Sequence, residues 1–404
     1  MNFSIITYGC QMNQNDSKRI KRLFESSGHK ETSQKEADLI IINSCSVRGR
    51  VIDRIRGKVN NIPKDKTVIL TGCILDEEKE ELSGLVNHLF SIENLPEWHR
   101  RLSFLIDPQK EDYFQIEASR NGPVAYLPIM TGCNNFCSYC AVPYVRGRER
   151  SRKEEDIMKE FESLVKEGFK EIWLLGQNVN SYEYGFADLL KKVSAVEGDF
   201  WVRFTSSHPK DFTNKIIKAM QSSEKITDYL NLPIQSGDDQ VLRAMNRPYS
   251  VKEYKRIISA VRREIPEITL STDIIVGFPG ETEENFENTK SILREIKYDM
   301  AYIARYSPRP QTEAFKLEDD VSHKEKKRRA TELTDLLKKI SYEKNKRLIG
   351  ETVQFLPLQK SGGFVIGKTK KYKTIKVKSK EMTGFQKAEV VAVDSFGLKG
   401  ILKK

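Results

Sequence analysis

Residues 124–140 read VAYLPIMTGCNNFCSYC, an apolar run that stops at Gly132 and opens onto three cysteines spaced C-x3-C-x2-C. A short continuous apolar run ended by a glycine is the pattern of a buried strand. The same plan recurs downstream, where EIWLLGQNVNSY, FWVRFTSSHP, DYLNLPIQSG, TLSTDIIVGFPG and MAYIARYSPRP each run apolar and then turn polar. Between them lie helix-like stretches such as EEDIMKEFESLVKEG and SVKEYKRIISAVRRE. Six strands alternating with helices over residues 119–342 predict α/β architecture, a partial (β/α)6 TIM-like barrel whose function gathers at the carboxyl ends of its strands. The triplet falls just past the first of these strands. A long charged helix from about Ser322 to Arg347 closes the zone.

Upstream, residues 1–118 repeat a related plan. FSIITYGC, ADLIIINSC and TVILTGC are each a buried-type strand, one or two small or polar residues, then a cysteine. Helical stretches such as DSKRIKRLFESSG between them predict an open parallel α/β sheet, whose ligands collect beyond the carboxyl ends of its strands. Cys10, Cys45 and Cys73 are 35 and 28 residues apart, yet each occupies the same structural place, so the three thiols are positioned to share a metal. Residues 343–404 are different again: short alternating strands broken by glycine predict a small OB-like β-barrel.

The formal charge is +11, and it is unevenly placed. From His323 to Lys404 there are 22 Lys/Arg against 8 Asp/Glu, a local +14 that leaves the preceding residues at −3. A basic end on a near-neutral body is the footprint of a nucleic-acid contact, because phosphates neutralised by Lys or Arg release counterions. YKTIKVKSK sets Lys373, Lys376, Lys378 and Lys380 around Tyr372 and Ile375 as the candidate contact; a lysine-rich edge strand is the alternative reading.

Six cysteines is an even number, yet the length of the chain and a start (MNFSIITYGC) without signal-peptide character argue against a disulfide framework. No run of about 18 apolar residues occurs, so no membrane span is expected and the reducing cytoplasm is the expected location. There, three clustered thiols suit a 4Fe-4S cubane, which they hold while leaving one iron free to bind something else. Zinc would want a fourth protein ligand, and none of His29, His88, His99, His208 and His323 lies next to the triplet.

The triplet resembles that of the radical S-adenosylmethionine enzymes. From end to end the chain is similar to the methylthiotransferases of that class, through YGCQMNQNDS, INSCSVR, TGCNNFCSYCAVPYVRGRERSR, LLGQNVNSY, DIIVGFPGET and YSPRPQTEA. Gln11-Met12 resembles the tRNA branch, which thiomethylates an isopentenylated adenosine next to the anticodon. Departures are Gln311, where the family usually has glycine, Asn231, where histidine is frequent, and the missing Glu after Arg in NSCSVRGR. The resemblance implies a SAM-coordinating 4Fe-4S cluster on Cys133, Cys137 and Cys140, an auxiliary 4Fe-4S cluster on Cys10, Cys45 and Cys73, and a carboxyl-terminal barrel of TRAM type that binds RNA. Gln177, Ser206, Gln235 and Asp273, the polar residues ending barrel strands, are the expected S-adenosylmethionine contacts, and RGRERSR (Arg146 to Arg152) is a candidate for phosphate or the cofactor carboxylate. No side-chain acid or base is expected to act on an unactivated adenine C2–H. Partners implied are a tRNA anticodon stem-loop, a reducing protein of flavodoxin or ferredoxin type and a sulfur source; the chain is expected to be a monomer. A methylthiotransferase of threonylcarbamoyl-adenosine tRNA or of a ribosomal protein, and a non-enzymatic metal-containing RNA-binding protein, remain the alternatives.

Overall fold

A computed structural model describes residues 1–45, 50–103, 105–107, 112–379 and 381–403; Lys380 and most of SCSVRG lie outside the described residues. The chain opens with β1 (Asn2–Thr7), α1 (Gln11–Ser26), β2 (Lys30–Glu31), β3 (Leu39–Cys45), α2 (Arg50–Asn60), β4 (Thr67–Cys73), α3 (Asp76–Ser83) and β5 (His88–Leu89). These strands form one parallel sheet in the order β2-β1-β3-β4-β5. Every residue of β3 is buried, as a central parallel strand covered on both faces demands. Ile41 and Ile69 pack beneath α1, while Ile40, Ile42, Val68 and Leu70 face the other layer.

The middle of the chain supplies β6 (Val124–Pro128), β7 (Met130–Thr131), α4 (Val142–Arg146), β8 (Arg150–Ser151), α5 (Glu154–Lys166), β9 (Glu171–Leu175), α6 (Phe186–Ala195), β10 (Trp201–Phe204) and α7 (Asn214–Gln221). It continues through β11 (Tyr229–Asn231), α8 (Asp239–Ala244), α9 (Val251–Glu264), β12 (Thr269–Val276), α10 (Glu283–Ile296), β13 (Met300–Arg305) and α11 (His323–Lys346). Strands β6, β9 and β10 pair in parallel, as do β11, β12 and β13, and a parallel bridge from Val202 to Ile226 joins the two sets. The result is an open six-stranded barrel with its helices outside, and the long helix expected at its close is α11.

The open edge at β6 is covered by α1. Asn15 Nδ2 donates to Tyr126 O (2.7 Å), Lys18 Nζ to Val124 O (3.4 Å), and Met12 packs with Trp173, Leu175 and Tyr229 in the barrel interior. Unpaired edge carbonyls are thereby satisfied by a helix rather than by another strand.

The last segment folds into a closed barrel of β14 (Thr352–Ser361), β15 (Phe364–Thr369), β16 (Thr374–Lys378), β17 (Gln386–Val393) and β18 (Gly397–Lys403), built on Phe355, Val365, Ile375, Val377, Val390 and Leu398. It docks against the amino ends of the six barrel strands. Arg203 donates to Lys370 O (2.9 Å) and Thr369 O (2.8 Å), and the Tyr372 ring lies 4.7 Å from Tyr229 and 5.1 Å from Trp173. This corrects part of the reading of YKTIKVKSK. Tyr372 plugs the barrel floor, Lys373 pairs with Asp299 at 2.9 Å and Ile375 is core, whereas Lys376 and Lys378 are exposed.

Candidate metal centres

In a sheet ordered 2-1-3-4-5 the chain reverses direction between β1 and β3, and ligands sit in the crevice at that point. Cys10 follows β1 at the start of α1, Cys45 ends β3 and Cys73 ends β4 directly beside Cys45 in register. Glycine makes this approach possible. At Gly72 (φ +111°) an added Cβ would lie 2.1 Å from Ser44 O, and at Gly9 (φ +128°) it would lie 2.9 Å from Cys45 Cβ. Cys45 and Cys73 are buried, and Cys10 is exposed. A hydrogen bond with Cys45, and then burial, hold the Cys73 thiol well above its usual range, with the Arg146 charge pulling the other way. Buried thiols of this kind ionise when a metal takes the place of the proton.

The second trio lies on the loop between β7 and α4, clamped by the end of α8. Ser138 donates from N to Met245 O (3.0 Å) and from Oγ to Ala244 O (2.7 Å), and Asn246 Nδ2 donates to Phe136 O (2.7 Å). The Asn135 amide donates to Cys133 Sγ (3.4 Å), and Arg247 Nη1 to Cys137 Sγ (3.5 Å). Burial pushes the Cys140 thiol up to about 12 and raises Cys133, each also feeling Cys137. Among the described residues no three Cys, His, Asp or Glu side chains converge as ligands of one ion. Within each trio the thiols are close enough to raise one another's ionisation, Cys45 acting on Cys73 and Cys137 on Cys133 and Cys140, and a donor set of sulfur alone suits an iron-sulfur cluster.

Around the mouth of the six-stranded barrel, Gln177 and Ser206 follow the ends of neighbouring β9 and β10, and Gln235 donates its amide to Asp273 O (2.9 Å). The Asp273 carboxylate accepts from Asn231 Nδ2 (3.1 Å). Gln177 Oε1, Asn178 Oδ1, Ser207 Oγ and His208 Nε2 are buried and have no hydrogen-bond partner among the described residues. Buried polar atoms are rarely left so, and a polar ligand such as S-adenosylmethionine would satisfy them. His208 accepts the Lys210 amide at Nδ1 (3.3 Å), so Nε2 carries the proton and is a donor. Burial, then Arg247 and Lys210, lower its ionisation to about 2.

The Radical SAM superfamily model matches residues 127–293, and that of the uncharacterized protein family UPF0004 matches residues 2–91. The chain is 42% identical over 388 residues to a tRNA-2-methylthio-N(6)-dimethylallyladenosine synthase of Carboxydothermus hydrogenoformans, covering 89% of this chain and 88% of that one. It is 37% identical to the enzyme of that name from Clostridium botulinum strain Langeland, covering 98% and 96%. The chain belongs to the tRNA-2-methylthio-N(6)-dimethylallyladenosine synthase family. Its fold is similar to that of a radical S-adenosylmethionine methyltransferase, TsrM, from Kitasatospora setae, with a TM-score of 0.58 at 12% identity over 90% of this chain and 80% of that one. The cobalamin-dependent radical enzyme OxsB shares the fold at a TM-score of 0.51 and 12% identity, covering 78% and 54%.

In this synthase-family chain several readings of the sequence change place. The run RGRERSR is largely structural: Arg146 is buried against Asp16, Arg148 covers the Phe136 ring, Arg150 pairs with Asp112 and Arg152 with Glu160. Gly277 (φ +68°) accommodates the buried Lys326 stem, since an added Cβ would meet Lys326 Cγ at 2.3 Å. Met12, in the stretch that resembles the tRNA branch, packs in the barrel interior. Ser207 and His208 are not marked as ligand contacts by the strand pattern, because Ser206 adopts φ +63° and that left-handed turn breaks the in-out alternation beyond the strand end.

Proposed function

We propose that this chain replaces the C2–H of N6-isopentenyladenosine next to the anticodon of tRNA with a methylthio group. Membership of the radical SAM superfamily implies a 4Fe-4S cluster and S-adenosylmethionine. The observation that carries the proposal is the presence of two separate thiol trios in one chain, one at the β1/β3 crevice and one past the first barrel strand. When bound, iron-sulfur clusters and S-adenosylmethionine supply the carbon radical, the sulfur and the methyl group. Cys133, Cys137 and Cys140 would hold the SAM-coordinating cluster, and Cys10, Cys45 and Cys73 the auxiliary one, with exposed Cys10 on the side open to a sulfur source. Gln177, Ser206, Gln235 and Asp273, together with His208, would orient S-adenosylmethionine at the strand ends.

Three units, 1–118, 119–342 and 343–404, divide the work, the last gripping the anticodon stem-loop. Its exposed face supports this: Lys376 on β16 lies in register beside Lys399 on β18, with Lys378 two residues on. Like charges side by side on neighbouring strands disfavour the sheet and are repaid by an anionic partner. The enzyme works as a cytoplasmic monomer with a flavodoxin- or ferredoxin-type reductant. Mass spectrometry of tRNA nucleosides from a strain lacking the chain tests the proposal. The isopentenyl nucleoside should accumulate at the expense of its methylthio derivative, and the chain should restore it. Loss of methylthio-threonylcarbamoyl nucleoside instead would transfer the assignment.

A further inference from the structure

Arg146 is the last residue of α4, six positions after Cys140, and its side chain is only 2% exposed. An isolated buried guanidinium is costly, so its partners reveal what it is for. All three come from the amino-terminal portion of the chain. Nη2 donates to Asp16 Oδ2 (2.5 Å), Nη1 to Glu93 Oε1 (3.3 Å) and Nε to Cys73 Sγ (3.0 Å). Asp16 is itself fully buried and also accepts from the Tyr113 hydroxyl, while Glu93 accepts from Thr131 Oγ1 (3.3 Å) on the strand that leads into the cysteine triplet. The guanidinium thus joins the helix that leaves one thiol trio to a sulfur of the other. Arg247 occupies the corresponding place at the triplet, with Nη1 3.5 Å from Cys137 Sγ and Nη2 anchored on Pro233 O (2.9 Å).

We infer that Arg146 is a positioning residue that fixes the two thiol trios relative to each other and, through Nε–H donated to Cys73, sets the reduction potential of the iron centre that Cys73 holds. The inference rests on the two-cluster reading above. A hydrogen bond to a ligating thiolate withdraws electron density from it, favours the more negative reduced state and raises the potential. Removing it lowers the potential of that centre alone. Arg247 should act in the same sense on the other.

The test uses anaerobically reconstituted full-length protein, with iron analysis and redox titration followed by electron paramagnetic resonance. Wild type should hold about eight irons, two cubanes. Arg146→Met should keep the triplet's centre at its wild-type potential and make the auxiliary centre at least tenfold harder to reduce, ~59 mV for one electron. Arg146→Lys retains the charge beside Asp16 without the planar fork, and should bind full iron while shifting the same centre by less. Arg247→Lys should shift only the centre on Cys133, Cys137 and Cys140. Two centres with unmoved potentials in both Arg146 variants, or potentials that move together, would overturn the inference while leaving the two-cluster reading intact. Iron on one trio only in the wild type would remove both.

Discussion

Gln311 has φ +66°, a left-handed conformation that costs a residue with a side chain about 1–2 kcal/mol. It stands in the turn of YSPRPQTEA, where a left-handed backbone favours glycine. Gln311→Gly should therefore stabilise the protein by up to about 1 kcal/mol after the extra entropy of an unfolded glycine is deducted. A denaturant midpoint that moved down instead would mean that the glutamine side chain repays its strain. His208 makes a prediction of a different kind. Held neutral down to about 2, it binds no proton in the folded protein where the unfolded chain, with an ordinary imidazole near 6.5, does. Stability from this group is thus intact above about pH 6.5 and falls as pH drops below it, by about 2 kcal/mol near pH 5. Replacing it with Asn should flatten that slope between pH 7 and pH 5 in paired unfolding titrations. An identical slope in the variant would show that the imidazole is free to ionise.

Among the elements, α1 shows where sequence reading stops. The cysteines at the ends of β1, β3 and β4 were legible because an apolar run followed by a turn residue locates a strand end without reference to anything distant. The barrel strands and α11 were legible for the same local reason. Yet α1 reads as an ordinary amphipathic helix, and its polar residues Asn13, Asn15, Asp16 and Arg19 are buried, because their partners lie on β3, β6, α4 and residues 113–116. Nothing within a window of a few turns encodes such partners. Asp299 at the start of β13 is a second case. It accepts from Lys344 on α11 (2.5 Å) and Lys373 on the turn before β16 (2.9 Å), and so rivets the carboxyl-terminal barrel to the rest. Burial alone would raise its carboxyl, but Lys373 and Lys344 outweigh burial and hold it below the usual value. Its contribution is present above about pH 4 and is lost as pH falls through the lowered value. Asp299→Asn should leave two lysines crowded together and cost about 1–3 kcal/mol, discounted from a fully buried pair because Lys344 is 27% exposed. Faster protease cleavage between α11 and β14 would register the loosened rivet, and an unchanged rate would assign the docking to Tyr372 and Arg203 alone.

At the scale of the molecule, the +14 of the carboxyl-terminal region divides into two populations. Arg328 and Arg329 are spent on glutamates, Lys326 on Asp319, and Lys344 and Lys373 on Asp299, so much of the basicity is internal bonding. Lys376, Lys378 and Lys399 are exposed on β16 and β18 and have no carboxylate partner among the described residues. Deleting residues 343–404 would not isolate their role, because it also withdraws Tyr372 from the barrel floor and strips Arg203 of two carbonyl acceptors. Neutralising the three lysines together with Gln leaves that floor closed. If they face phosphates, binding of a tRNA anticodon stem-loop should weaken uniformly across sequences, and the slope of log K against log salt should become shallower by about 2–3, roughly one per lost phosphate contact. Iron content should stay at the wild-type value and the unfolding midpoint should not fall, because none of the three side chains is buried and the repulsion between Lys376 and Lys399 is relieved. An unchanged slope would leave the paired lysines Lys376 and Lys399 as protection of a barrel surface against self-association, and would move the RNA footprint to the basic residues of α11.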